Sequence, residues 1–156
     1  MTTEAELESN HGAALARRHL CWGWCSLLCF LSLGLVLETM HGFKVDWYGN
    51  VYNETRRLML TLAHAHGVLL SLVNVAFGLT ILHLRSADTR WRRVASLCLL
   101  SASVMLPAGF FLGGVVIYAG DPGPGILLAP AGGLLLFVAV LATAVVVIRA
   151  QPSAAG

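Results

Sequence analysis

Four stretches of the chain are apolar almost throughout: Leu20–Met40, Leu58–Leu84, Val94–Ala119 and Ile126–Ile148. Each reaches the roughly 20 residues that a helix needs to cross about 30 Å of hydrocarbon. The pattern predicts an all-α, up-down-up-down four-helix bundle in a membrane, with polar tails at 1–19 and 149–156 flanking a transmembrane domain at 20–148. The second and third runs exceed the minimum and have room to tilt. No small-x-small cleavage site follows the first run, so it reads as a retained anchor.

The second run is the one with a pattern inside it. At about 100° per residue, His64, Gly67, Ser71, Asn74 and Gly78 fall within an arc of roughly 80°. The rest of that helix is nearly all Leu, Val, Ala and Phe. Polar groups are costly in hydrocarbon, so the stripe is expected to face protein, cofactor or water. His64 is the leading candidate: a neutral imidazole ligates haem iron or a transition metal, and also moves protons. Gly67 gives clearance for a flat ring or a neighbouring helix. Ser71 and Asn74 offer polar contacts, and a hydrogen bond across helices is an equally good use of Asn74. His66 projects about 200° from His64 on an ideal helix, so the two cannot share one metal without distortion. His66 is expected to pack between helices or against a second protomer. His83 reads as an interfacial residue.

The connections add detail. Phe43, Trp47, Tyr48 and Tyr52 predict a short interfacial element between the first two spans. Asn53-Glu54-Thr55 matches a glycosylation sequon. Glu38 and His41 share a helix face and are expected to form a charged cluster with Arg56 and Arg57, either an ion-pair network or a polar vestibule that Tyr118 could join. Gly120–Gly125 predicts a tight turn, and Gly109 with Gly113 forms a small-xxx-small surface for a close helix contact, within or between protomers. Pro107 and Pro130 are expected to kink their helices.

Composition agrees with the pattern. The 156 residues are 57% hydrophobic and 12% charged, against about 25% charged in soluble domains. Mean hydropathy is +0.76. A formal net charge of +2 gives no case for nucleic acid. Arg17, Arg18, Arg85, Arg90, Arg92, Arg93 and Arg149 fall on one side of the predicted membrane, Lys44, Arg56 and Arg57 on the other. That bias puts both termini in the cytoplasm, of a cell (inner) membrane protein. Cys21, Cys25, Cys29 and Cys98 read as packing residues, since CxxxC is not the spacing of zinc or redox pairs. No Walker, GxSxG, HEXXH or GxGxxG motif occurs, which disfavours hydrolase and nucleotide-driven chemistry.

His64 or His66, Gly67 and Asn74, together with the turn GPGILLAPAG at 123–132, resemble the small four-helix membrane isomerases, styrene oxide isomerase and hydroxylaminobenzene mutase. The separation from histidine to asparagine is longer here than in that family. The resemblance implies haem b held by a histidine at a protomer interface, with the iron acting as a Lewis acid. With Ser71 added from the stripe and Tyr118 from the outer mouth, His64, His66, Gly67 and Ser71 are the expected cofactor-binding residues, His64 and His66 the metal ligands, and Asn74 and Tyr118 the catalytic residues. The expected function is a membrane isomerase or redox protein that binds haem b or a transition metal and acts as a homo-oligomer or with a membrane-complex partner. A non-catalytic accessory subunit and a small-solute carrier are the alternatives.

Overall fold

The computed structural model describes residues 4–50, 52, 54–84 and 89–150. Its frame is four long helices: α1 (Glu4–Gly42), α3 (Glu54–His83), α4 (Thr89–Val115) and α5 (Leu128–Ala150), with a one-turn helix α2 (Asp46–Gly49) after α1. All four long helices are long and apolar enough to cross a membrane. A two-residue hairpin, β1 (Ile117–Tyr118) with β2 (Asp121–Pro122), and a 3₁₀ turn at Pro124–Leu127 connect α4 to α5. The hairpin loop is Ala119-Gly120, both at positive φ, the backbone that a two-residue reversal requires.

α1 is longer than the apolar pattern predicts. It is continuous from Glu4, and Ala16 and His19, assigned above to a tail, are fully buried. Pro130 does not kink α5. It lies in the first turn, where a missing N–H leaves no intrahelical bond unmade. Asn53 of the sequon and Arg85 lie outside the described residues.

Each long helix packs on its neighbour in sequence: α1 on α3, α3 on α4, α4 on α5. Between α1 and α3 the reason is legible in the spacing. Gly12, Ala16, His19, Gly23, Ser26, Phe30, Gly34 and Leu37 recur at steps of four and three along α1. Leu60, His64, Gly67, Ser71, Asn74, Gly78 and Ile81 do so along α3. This 3.5-residue repeat keeps one seam facing the partner helix along its length. Small residues on both sides bring the backbones close: a Cβ on Gly23 would sit 2.8 Å from the Ser71 carbonyl oxygen, and one on Gly78 3.1 Å from that of Ala16. α4 and α5 meet by the same means. A Cβ on Gly109 would stand 2.5 Å from the Ala129 nitrogen, and one on Gly132 2.6 Å from the Leu106 nitrogen. The Gly109/Gly113 surface is therefore used inside the chain, against α5 and the turn before it. Leu70, Phe77, Leu99, Leu106, Ala139 and Ala142 form the shared core.

The two ends differ in charge. Arg17, Arg18, Arg90, Arg92, Arg93 and Arg149 gather where α1 and α4 start and α3 and α5 finish, here the basic end, to which the first turns of α1 also bring Glu4, Glu6 and Glu8. At the opposite, hairpin end stand Glu38, Asp46, Glu54 and Asp121 with Lys44, Arg56 and Arg57.

Candidate functional site

The polar stripe of α3 faces protein, and α1 covers it. Its centre is a closed triad across three helices. The Asn74 amide nitrogen donates to the Leu70 carbonyl at 2.8 Å, which orients the side chain and leaves its oxygen as acceptor. His19 Nδ1–H donates to that oxygen at 2.8 Å, and Ser96 Oγ–H donates to His19 Nε2 at 2.8 Å. The ring also meets Phe77 edge-on. Both nitrogens of a neutral His19 are thus engaged, with no lone pair left for a ligand. His19 and Asn74 are 0% exposed, so the triad is a structural lock joining α1, α3 and α4. Trp22 extends it by donating to Ser103 Oγ at 2.9 Å.

The other members of the stripe are also taken up by α1. The Ser71 and Ser26 hydroxyls meet at 2.8 Å. The clearance at Gly67 is filled by the Phe30 ring, so it offers no slot for a flat cofactor. Gly78 faces Leu20 and the Ala16 carbonyl.

His64 is different. Its Nδ1 lies 2.8 Å from the Phe30 carbonyl oxygen, which only accepts, so Nδ1 carries a proton and, in the neutral ring, Nε2 the lone pair. No described residue bonds Nε2, and the ring lies over Gly34, where any side chain would collide with it. The half-buried imidazole lines a groove of about 560 Å³ between the hairpin-end halves of α1 and α3. Glu38 and His41 of α1, Tyr48 of α2 and Thr61 of α3 share its wall. Tyr48 is buried against Leu37 and Leu60 and closes one end. The volume lies within the range of small-molecule sites.

His66 also has its Nδ1 on a carbonyl, that of Leu62 at 2.9 Å, but its ring stacks on Phe110 of α4. It packs between helices, as its opposite projection predicts. The expected cluster of Glu38 and His41 with Arg56 and Arg57 does not form. Arg56 bonds the Gly114 and Trp47 carbonyls and lies over the Trp47 ring, while Arg57 is 4.0 Å from Glu54. Tyr118 is on the hairpin, 65% exposed, and does not line the groove. Asn74 has no face toward it either.

The sequence reading missed His19. Its signal was the repeat continuing N-terminally from Gly34 through Phe30, Ser26 and Gly23 to position 19. No protein-family model, curated protein or solved structure matches the chain.

The donor set tests which cofactor suits the groove. Among the described residues no three His, Cys, Asp or Glu side chains come together as a metal-binding group. One oriented imidazole with a free Nε2 is too little for a bare cation. It would suffice to hold a haem, whose porphyrin brings four nitrogens of its own.

Proposed function

We propose that this chain is an integral membrane protein whose α1–α3 groove binds haem b through His64 Nε2, for isomerase or redox chemistry on an apolar substrate. The carrying observation is the imidazole itself, in the wall of a groove, with one nitrogen tied to a backbone carbonyl and the other without a partner among the described residues. Bound haem supplies Lewis-acid or one-electron chemistry. Around it, the Phe30 carbonyl holds the imidazole tautomer, and Gly34 makes room for the ring's Nδ1–Cε1–Nε2 edge. Glu38 and His41 stand where they can exchange a proton with a polar group of the substrate, and Thr61 offers a hydroxyl. The groove opens sideways, so lipid or a second copy of the chain completes its outer wall, consistent with a homo-oligomer. The Arg-rich end faces the cytoplasm by the positive-inside bias, with the groove nearer the opposite surface.

Protein purified from haem-sufficient cells is expected to show a Soret band. His64→Ala removes or shifts it, whereas His83→Ala and His66→Ala leave it in place. A colourless protein without stoichiometric metal refutes the proposal. A second reading then stands, supported by the filled Gly67 slot and the closed triad: an accessory membrane subunit whose polar residues serve only to pack helices. The carrier alternative has no comparable support, since α1 occupies the stripe that would have been its wet path.

A further inference from the structure

α3 and α5 both pack on α4 but scarcely touch each other. The cleft left between them is about 390 Å³, walled by Val73, Ala76 and Thr80 on one side and Ala139, Thr143 and Val147 on the other, with Leu99 as its floor. Its two hydroxyls are spent on their own helices, Thr80 Oγ on the Ala76 carbonyl at 2.8 Å and Thr143 Oγ on that of Ala139 at 2.7 Å. The cleft therefore presents hydrocarbon and little else. Towards the basic end it continues past Thr80 to His83 and Leu84, and a hollow of about 20 Å³ that shares Phe77, Thr80 and Thr143 adjoins it, with Trp91 and Arg92 in its wall.

Arg92 is half-buried and donates to the Leu84 carbonyl. Among the described residues no carboxylate pairs with it. Arg90 and Arg93, exposed on the same turn of α4, add to the positive field. A guanidinium with unused donors favours a phosphate oxygen. From Val73 to Leu84 the cleft runs eleven residues, about 16 Å along the helix, close to half of a hydrocarbon core of about 30 Å. Length, lining and charge agree on one occupant.

We propose that the α3–α5 cleft binds one anionic phospholipid of the leaflet at the basic end, with an acyl chain against Val73, Leu99 and Ala139 and its phosphate group at Arg92. This rests on the membrane reading above but not on the His64 ligand. The full chain, purified in detergent and titrated with phosphatidylglycerol or phosphatidylcholine of identical chains, is analysed by native mass spectrometry. One phosphatidylglycerol is expected to bind at least tenfold more tightly than phosphatidylcholine. Arg92→Gln removes that preference, Arg92→Lys keeps most of it, and Arg149→Gln, at the same end but outside the cleft, leaves it unchanged. Ala144→Leu, which adds bulk at an exposed position of the cleft wall, weakens both lipids without disturbing the core. Equal binding of the two lipids by the unaltered chain overturns the proposal, as does an Arg149→Gln loss matching that of Arg92→Gln. A chain that stays monodisperse without detergent and retains neither lipid overturns the membrane reading as well.

Discussion

His19 and His64 show how the partners of an imidazole decide its role. A carbonyl can only accept, an amide oxygen can only accept, and a hydroxyl can do either, so the hydrogen-bond partners dictate the tautomer. In His19 both nitrogens are satisfied and the group is locked; in His64 one is satisfied and the other is open. The lock is testable by truncation. Asn74→Ala leaves the His19 Nδ1–H buried without an acceptor, a cost of about 1–2 kcal/mol. Replacing all three members together (His19→Leu, Asn74→Leu, Ser96→Ala) is expected to recover part of that loss, because no orphaned polar group remains. Thermal unfolding in detergent checks the pair; an Asn74→Ala protein as stable as the parent would remove the triad from the account. Much of this was legible in the sequence. The α3 stripe from Gly67 to Gly78 announces a protein-facing surface by its spacing alone. What the spacing could not supply was the filler: whether Gly67 admits a cofactor or a Phe30 ring depends on the register of α1 against α3.

Between elements, the glycines set how closely helices approach. The apolar runs located all four helices, but not that Gly109 and Gly113 are used within the chain, since small-xxx-small serves folding and assembly alike. Their environments differ. Gly109 faces the Ala129 backbone, which cannot move aside, whereas a Cβ on Gly113 would stand 3.3 Å from the Ile126 side chain. Gly109→Ala is therefore expected to loosen the α4–α5 seam by a few kcal/mol, and Gly113→Ala by about 1 kcal/mol or less. Protease sensitivity of the Gly120–Gly125 connection, followed with thermal stability, measures this; a reversed order would mean that α5 sits differently on α4. The N-terminal reach of α1 was hidden for another reason. Composition marks where hydrocarbon begins, and a helix has no need to stop there.

On the scale of the whole molecule, charge is divided between the ends as the loops predict, with the basic end carrying both described helix termini of the chain, at Glu4 and Ala150. Reporter fusions at either terminus are expected to read cytoplasmic, and a fusion between Gly42 and Arg57 external; a cytoplasmic first connection would invert the molecule and move the groove to the other surface. The central claim is that His64, and not the better-buried His19, is the residue that takes a ligand. Histidine-selective ¹⁵N spectra of the reconstituted full chain, recorded before and after addition of haem, test it most directly. The account predicts an unprotonated Nε2 at His64 whose resonance is broadened or lost as haem binds, while both His19 nitrogens keep their positions. A His64 signal indifferent to haem, or a His19 signal that moves in its place, would contradict it.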